Sequence, residues 1–100
     1  MNNNRFYIIS LFDFYSSLLT EKQKKYFMEA YFEDKSLSEI AEIYNVSKNA
    51  IHDSLKNIVN DLLKYEEKLK LKYKYDQRTS LIKLINDKNL REKFLEIEEE

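Results

Sequence analysis

The sequence predicts an all-α protein, and two observations lead to this prediction. The first is that its 100 residues include neither glycine nor proline. Tight turns between neighbouring strands are hard to build without these residues, whereas continuous helix tolerates their absence well. The second is that residues 36–58 have the pattern of a helix-turn-helix. A chain of this length makes one small domain, and its 43% hydrophobic residues are enough for a core.

The helix-turn-helix is predicted from helix caps and from apolar spacing. Ser36 and Glu39 have the separation of a capping box, which begins the first helix. Asn45 stands at the turn, because asparagine tolerates left-handed backbone better than other residues with a side chain. We expect Val46 to be buried, and Ser47 to cap the second helix. Each helix carries one apolar face, formed by Leu37, Ile40, Ala41 and Tyr44 in the first and by Ile51, Leu55 and Ile58 in the second.

Two helices are predicted before this motif. The first covers residues 5–18. A second capping box, at Thr20 and Gln23, begins another helix that runs to about Glu33. The residues expected to face the core are Phe6, Ile9, Leu11, Phe12, Tyr15 and Leu18 in the first helix and Phe27, Met28, Tyr31 and Phe32 in the second.

The second helix of the motif meets no stop signal after Ser47. Its apolar row continues in heptad rhythm through Leu62, Tyr65 and Leu69. The later part of this row needs a packing partner, for which the N-terminal helix, the C-terminal segment and another subunit remain open. A second subunit along this row would make the protein a homodimer.

Residues 68–76 alternate lysines with apolar residues, which is the period of a strand. An isolated strand without a hairpin partner would be unstable. Two pairs four residues apart, Glu66 with Lys70 and Lys72 with Asp76, favour a helix instead. We therefore predict a helix over this segment.

The C-terminal part is predicted to form two helical pieces around Asp87, the second capped by Asn89. Residues 68–78 carry a net charge of +4 and residues 87–100 a net charge of −3, so the two segments can pair within a chain or between chains.

The sequence thus divides into a helix-turn-helix domain, residues 1–76, and a C-terminal helical extension, residues 77–100, which we expect in a dimer interface.

Composition narrows the functional classes. The absence of cysteine excludes disulfides and thiolate metal sites and fits a reducing compartment. No apolar run approaches the roughly 20 residues of a membrane span, and the N-terminus lacks signal-peptide features. We therefore expect a cytoplasmic protein. The net charge of −1 counts against a strong stand-alone nucleic-acid binder.

The stretch from Phe12 to Arg78 resembles the YlxM family of small bacterial helix-turn-helix proteins. The motifs that carry the resemblance are Leu19-Thr20, SLSEIAE at 36–42, VSKNAIHD at 46–53, YEEKL at 65–69 and DQR at 76–78. That family is similar to region 4 of bacterial sigma factors. The resemblance implies an all-helical fold with a long recognition helix, a dimer, a regulatory role and a link to the signal recognition particle pathway, without an established biochemical activity. Family members commonly have Arg-Gln where this chain has Lys48 and Asn49, which weakens the case for a sequence-specific contact.

The exposed start of the second helix is the candidate nucleic-acid site, because the N-terminal residues of a recognition helix enter the major groove. Ser47, Lys48 and Asn49 are placed to reach phosphates or base edges, and the Asn49 amide can pair with adenine. His52 is a candidate for a base or phosphate contact, and Lys56 for a phosphate contact. Solvated residues on a helix surface would show the same pattern, and both interpretations remain open.

The sequence predicts no catalytic site, no cofactor and no metal site. His52 is the only histidine, and a chain without glycine has no phosphate-cradling loop. The basic run at 68–78 is interpreted first as a solvated helix flank, with a nucleic-acid patch or an acidic-partner site as alternatives. The first functional hypothesis is a DNA-binding regulator. The second is a non-catalytic helical adaptor for a protein or ribonucleoprotein, such as signal recognition particle RNA or protein.

Overall fold

Six α-helices and one 3-10 turn account for the regular structure of the described residues. The computed structural model describes residues 4–99, and this part contains no strand. The all-α prediction is therefore confirmed. None of these helices is long and apolar enough to cross a membrane. The elements are α1 (Arg5–Tyr15), the 3-10 turn Ser16–Leu18, α2 (Glu21–Tyr31), α3 (Leu37–Tyr44), α4 (Lys48–Leu69), α5 (Leu71–Ile82) and α6 (Lys88–Glu99).

The predicted capping boxes begin α2 and α3. Thr20 Oγ1 accepts a hydrogen bond from the Gln23 N–H at 3.1 Å, and Gln23 Oε1 accepts one from the Thr20 N–H at 2.9 Å. Ser36 and Glu39 make the same reciprocal pair, at 3.1 and 2.9 Å. Each such cap stabilises its helix by about 1 kcal/mol. These local bonds fix where the two helices start and hence which of their faces meet the core.

The core forms where α1, α2 and α3 pack against α4. The aromatic rings of Phe12 and Phe27 stack at 4.3 Å between centroids, which joins α1 to α2. The Tyr15 ring lies 5.8 Å from that of Tyr65, so α1 also covers the later part of α4. Of the three partners considered for the apolar row of α4, the N-terminal helix is the main one. The buried residues are Ile8, Leu11, Phe12, Tyr15, Leu19, Tyr26, Phe27, Ile40, Ala41, Ile51, Ile58 and Leu62.

Several residues that we expected in the core are exposed instead. In α2 the side chains of Tyr26 and Phe27 are buried in the core. Each following residue is rotated by about 100° around the helix axis. Met28 consequently faces solvent. Val46 follows the left-handed turn residue with its side chain outside. The expected core residues that are exposed are Phe6, Leu18, Met28, Phe32, Val46 and Leu69, while Ile8 and Tyr26 are buried without having been predicted.

The long helix after Ser47 breaks at Lys70, which the sequence did not predict. Lys70 has φ 55° and ψ 34°, in the left-handed region, and α5 begins at the next residue. The predicted Glu66–Lys70 ion pair does not form, because Glu66 is buried and bonds elsewhere. The predicted Lys72–Asp76 pair does form, with Nζ 2.6 Å from Oδ2. Helix instead of strand is confirmed for residues 68–76 on both sides of this break.

Helices α5 and α6 form a hairpin, which we call the C-terminal hairpin (71–99). Asp87 caps α6, because its Oδ1 accepts from the Leu90 N–H at 3.1 Å; the prediction that Asn89 is the cap is wrong. Arg78 Nε donates to Glu98 Oε2 at 2.7 Å, so the basic and acidic segments pair here within one chain.

The division proposed at residues 76 and 77 falls inside α5, and its outer limits, 1 and 100, lie outside the described residues.

The hairpin gives the described chain an elongated shape. The radius of gyration is 17.0 Å and the principal extents are 55 × 23 × 23 Å. A compact chain of 100 residues has a radius of gyration of about 13 Å. Ile82 is the one buried residue among those described in α5 and α6. The core is therefore built from α1–α4, and the hairpin lies outside it.

Candidate nucleic-acid interface

The turn between α3 and α4 is fixed by Asn45. Its φ of 54° and ψ of 49° are left-handed, as predicted, and its N–H donates to the Ala41 and Glu42 carbonyls at the end of α3. The Val46 N–H also donates to the Ala41 carbonyl, at 3.0 Å. These bonds satisfy carbonyls that a helix end otherwise leaves unpaired. The start of α4 is consequently held in one position relative to α3.

All five residues that we predicted as nucleic-acid ligands lie at the surface. Ser47 Oγ accepts from the Ala50 N–H at 3.0 Å, which makes it the N-cap of α4 and leaves its hydroxyl proton free to donate. Lys48, Asn49, His52 and Lys56 are exposed over the first turns of α4. Residues 48, 52 and 56 are spaced four apart and so follow one row along the helix surface. The structure thus places the five residues at the exposed start of α4, with Lys48, His52 and Lys56 in one row.

Acidic groups reduce the positive potential of this face. The side chains of His52 and Asp53 adjoin each other, with Nδ1 3.3 Å from Oδ1. Residues 47–60 carry two lysines and one aspartate, a net charge of +1. On α3, the Ser36 backbone N–H donates to Glu39 and lowers the pKa of that carboxyl, so its negative charge persists to a lower pH than usual. Glu42 is also exposed on α3. Within residues 47–60 the positive charge is thus limited to Lys48 and Lys56.

An open groove of about 370 Å³ lies beside this face. His52 and Lys56 line it, and so does Asn60, which the sequence analysis missed. The signal for Asn60 was available, because it follows Lys56 by four residues and therefore continues the same row. The remaining lining is mostly apolar and consists of Tyr31, Leu37, Leu55 and Val59. The face therefore combines amide and basic groups with a hydrophobic floor.

Other kinds of site are not built from the described residues. Among residues 4–99, no three histidine, aspartate or glutamate side chains gather as metal ligands would. Every buried side-chain nitrogen or oxygen in this range has a hydrogen-bond partner. The exposed start of α4 is thus the candidate that the helix-turn-helix geometry singles out.

Comparison with known proteins places this chain among helix-turn-helix proteins. The family model of UPF0122, described as "Putative helix-turn-helix protein, YlxM / p13 like", matches residues 2–100. The chain belongs to the UPF0122 family. The resemblance drawn from its motifs is therefore confirmed. The α3–α4 unit is the helix-turn-helix that the family description names.

Similar UPF0122 proteins occur in several bacteria. The relative from Ureaplasma urealyticum serovar 10 is 48% identical over 95 residues, which are 95% of this chain and 96% of the relative. The relative from Malacoplasma penetrans is 49% identical over 90 residues, or 90% and 84% of the two chains. One from Listeria monocytogenes serotype 4b is 46% identical over 86 residues, or 86% and 78%. The matched residues are thus 78–96% of these relatives' lengths.

Proposed function

We propose that this UPF0122 protein is a non-catalytic, cytoplasmic regulatory protein that binds DNA with the start of α4. One observation carries the proposal. Lys48, Asn49, His52 and Lys56 are all exposed to solvent, while Ile51 in the same stretch of α4 is fully buried in the core. Because α4 is anchored in the core and begins at a fixed turn, its first turns form a rigid convex surface. A protruding helix of this kind fits the major groove of DNA.

Each exposed side chain has a defined chemistry in this proposal. Asn49 offers an amide that both donates and accepts, the combination that pairs with adenine. Lys48 and Lys56 are point charges suited to phosphate oxygens. Ser47 and the free N–H groups of the first turn lie at the positive end of the helix dipole, which also favours phosphate. We therefore expect Asn49 to contact a base and the other residues to contact the phosphate backbone.

A salt titration with charge-reversed variants tests DNA binding. Anisotropy of a labelled random duplex is measured between about 50 and about 200 mM salt. We expect affinity that falls as the salt concentration rises, and loss of binding in the double variant Lys48→Glu/Lys56→Glu. The control is Lys22→Glu/Lys25→Glu, which makes the same change of net charge at exposed positions of α2. Equal losses in both variants, or no binding by the unchanged protein at low salt, would overturn the proposal.

We further propose that the protein is a homodimer that associates through the C-terminal hairpin. Leu81, Leu84 and Ile97 are 65%, 75% and 65% exposed. Between α5 and α6 lies an open groove of about 540 Å³, whose apolar lining includes Leu81, Ile85 and Phe94. A 12-residue helix such as α6 is marginal by itself and gains its stability from packing. In the single chain, α6 has no buried residue among those described.

A second copy fits this surface because its charges are self-complementary. Beyond the Lys72–Asp76 and Arg78–Glu98 pairs within one chain, α5 carries the exposed Lys74, whereas α6 carries the exposed Glu92, Glu96 and Glu99. In a two-fold dimer, α5 of each copy can face α6 of the other copy, so that opposite charges meet and apolar residues lie between the helices. The hairpin would thus act as the dimerisation extension of a helix-turn-helix domain.

Sedimentation at micromolar concentration tests the dimer. We expect a dimer for the unchanged protein and a monomer for the variant Leu81→Asp/Ile97→Asp, because a buried interface does not accommodate unpaired charges. The matched control is Ile43→Asp, which places a new charge at an exposed apolar position on α3. A monomeric unchanged protein, or a dimer that survives the hairpin variant, would contradict the proposal.

A helical adaptor is the second candidate function, and the acidic outer face of α3 favours it. A shallow surface there is lined by Lys35, Glu39, Glu42 and Ile43, a mixture better suited to a protein than to phosphate. The same salt titration, run in parallel with signal recognition particle RNA, separates the candidates. Preference for the RNA would indicate a ribonucleoprotein partner and a role in that pathway. Absence of both affinities at low salt would leave a protein partner.

A further inference from the structure

Tyr15 and Glu66 form a buried polar pair at the junction of α1, α4 and α5. The Tyr15 hydroxyl donates to Glu66 Oε1 at 2.6 Å and accepts from the Leu71 N–H at 2.9 Å. The two carboxylate oxygens of Glu66 accept from the backbone N–H groups of Lys72 and Tyr73, at 3.1 and 3.0 Å. Tyr15 is fully buried and Glu66 is 9% exposed. Two side chains thus occupy three N–H groups in the first turn of α5.

These contacts replace an ordinary helix cap. Lys70, the residue before α5, makes no side-chain cap bond. All three hydrogen-bond partners of Glu66 are donors, so its carboxylate serves as an acceptor throughout. The positive end of the α5 dipole also favours a carboxylate here. Glu66 therefore caps α5 from within the preceding helix, with Tyr15 as its partner.

The break at Lys70 has no cause in the local sequence. A lysine in left-handed backbone is disfavoured sterically, and nothing in the local sequence resembles a helix breaker. In an unbroken helix the Leu71, Lys72 and Tyr73 N–H groups would bond to the carbonyls four residues earlier instead. Residues 48–82 would then form one helix of about 52 Å. A continuous helix is thus the alternative way in which these N–H groups would be satisfied.

We propose that Tyr15 and Glu66 are positioning residues that hold the break between α4 and α5, and that without them α4 and α5 join into one continuous helix. We call the pair the Tyr15–Glu66 latch. Contacts between α1 and α5 accompany it, since the Phe14 and Tyr75 rings meet edge to face at 5.4 Å and Lys72 Nζ lies 5.8 Å from the Tyr7 ring centroid. The latch therefore fixes the direction in which the C-terminal hairpin leaves the core.

The latch has a consequence that rests on the proposed function. If the hairpin joins two copies, its direction relative to α4 determines the distance and angle between the two recognition helices. Helix-turn-helix dimers read two half-sites whose spacing must match that distance. Tyr15 and Glu66 would thus select half-site spacing while lying remote from the DNA-facing side chains. The latch itself is tested on the free protein, so its failure and the failure of DNA binding are separate results.

Nuclear Overhauser contacts between backbone protons test the latch, because the Hα(i) to HN(i+3) contacts of a helix are interrupted at a left-handed residue. In the unchanged protein these contacts should be missing across residue 70. In Glu66→Gln they should appear there, as in one continuous helix, while those around Ile58 and Leu62 in the core stay as they are. Glycine adopts left-handed backbone without a steric cost, so Lys70→Gly added to Glu66→Gln should remove the contacts across residue 70 again. The matched control is Lys68→Gly, which lies inside α4 and should not remove them. Contacts that stay missing across residue 70 in Glu66→Gln, or equal effects of both glycines, would overturn the proposal.

A distance measurement tests the continuous state directly. The chain has no cysteine, so spin labels can be attached to cysteines introduced at exposed Asn57 and Gln77. A continuous helix would separate these positions by about 30 Å, and any break shortens that distance. Labelled chains are diluted with unlabelled ones to remove signals between copies. Lys70→Ala combined with Tyr15→Phe should lengthen the distance towards about 30 Å, and Lys70→Gly alone should not. The same distance in all variants would contradict the two-arrangement proposal.

Discussion

The buried hydroxyl of Tyr15 should make the stability of this protein fall in alkali. Burial raises the pKa of Tyr15 to about 12, and the hydrogen bond to Glu66 adds to the effect. The unfolded chain has the ordinary tyrosine pKa of about 10. Between these values the folded protein retains a proton that the unfolded chain has lost. The free energy of unfolding therefore decreases as pH rises through this interval.

The size of the effect follows from the shift of the pKa. Each pKa unit corresponds to about 1.4 kcal/mol, so the full difference is about 2.7 kcal/mol. This contribution is present below about pH 10 and is lost as pH approaches 12; by about pH 11.5 roughly 2 kcal/mol has gone. Small domains have unfolding free energies of about 5–15 kcal/mol in total. The loss should therefore be measurable well before the protein unfolds completely.

Urea unfolding followed by circular dichroism, at pH values from about 9 to about 11.5, measures the effect. Lysines also titrate in this range, so the informative quantity is the difference between the unchanged protein and Tyr15→Phe. At pH 9 Tyr15→Phe should be less stable by about 2 kcal/mol, because it leaves the Leu71 N–H without its acceptor. That difference should nearly vanish at the highest pH. Tyr73→Phe, altered at an exposed tyrosine, is the control. A Tyr15→Phe difference that stays constant with pH would refute the reasoning.

Two further predictions concern the turn and the core. Asn45→Ala should lower the free energy of unfolding by about 1 kcal/mol, because a φ of 54° is sterically unfavourable for alanine, whereas Asn45→Gly should not lower it. Thermal unfolding of both variants measures this difference, and equal midpoints would contradict the prediction. Phe27→Ala should cost about 3–5 kcal/mol, since the ring is fully buried against Phe12, whereas the exposed Phe32→Ala should cost much less. Urea unfolding measures the loss of unfolding free energy in each of these two variants. Similar losses would contradict the burial of Phe27 in the core.

The parts of the fold that the sequence predicted correctly depend on residues close together in the chain. A capping box needs two residues three apart, and the left-handed turn needs an asparagine at one position. Both are complete within a few residues around Ser36 and Asn45. The exposed start of α4 was predictable for the same reason, because the inward spacing of Ile51 and Ile58 leaves the opposite face to solvent.

The break at Lys70 was unpredictable from nearby residues because it depends on Tyr15, which lies 56 residues before Leu71. The surrounding sequence favours helix throughout, and only a long-range contact reverses that preference locally. One signal for the buried Glu66 was nevertheless present. It follows Ile58 and Leu62 at steps of four residues, on the row that faces the core. A glutamate on that row indicates a buried hydrogen-bond acceptor. The sequence does not show which groups donate to it, and the folded structure identifies them.

The low charge of the α4 face and the proposed dimer are linked through the salt dependence of DNA binding. Each phosphate neutralised contributes about 0.9 to the slope of log affinity against log salt. One chain offers Lys48 and Lys56 on this face, so a single copy gives a slope of about 2 and a dimer with both copies engaged gives about 4. The measured slope thus counts the copies on the DNA. Loss of the hairpin interface in Leu81→Asp/Ile97→Asp should halve it, whereas an unchanged slope would mean that one copy binds alone. With so little charge per chain, joining two copies is the means by which this surface would hold DNA at physiological salt.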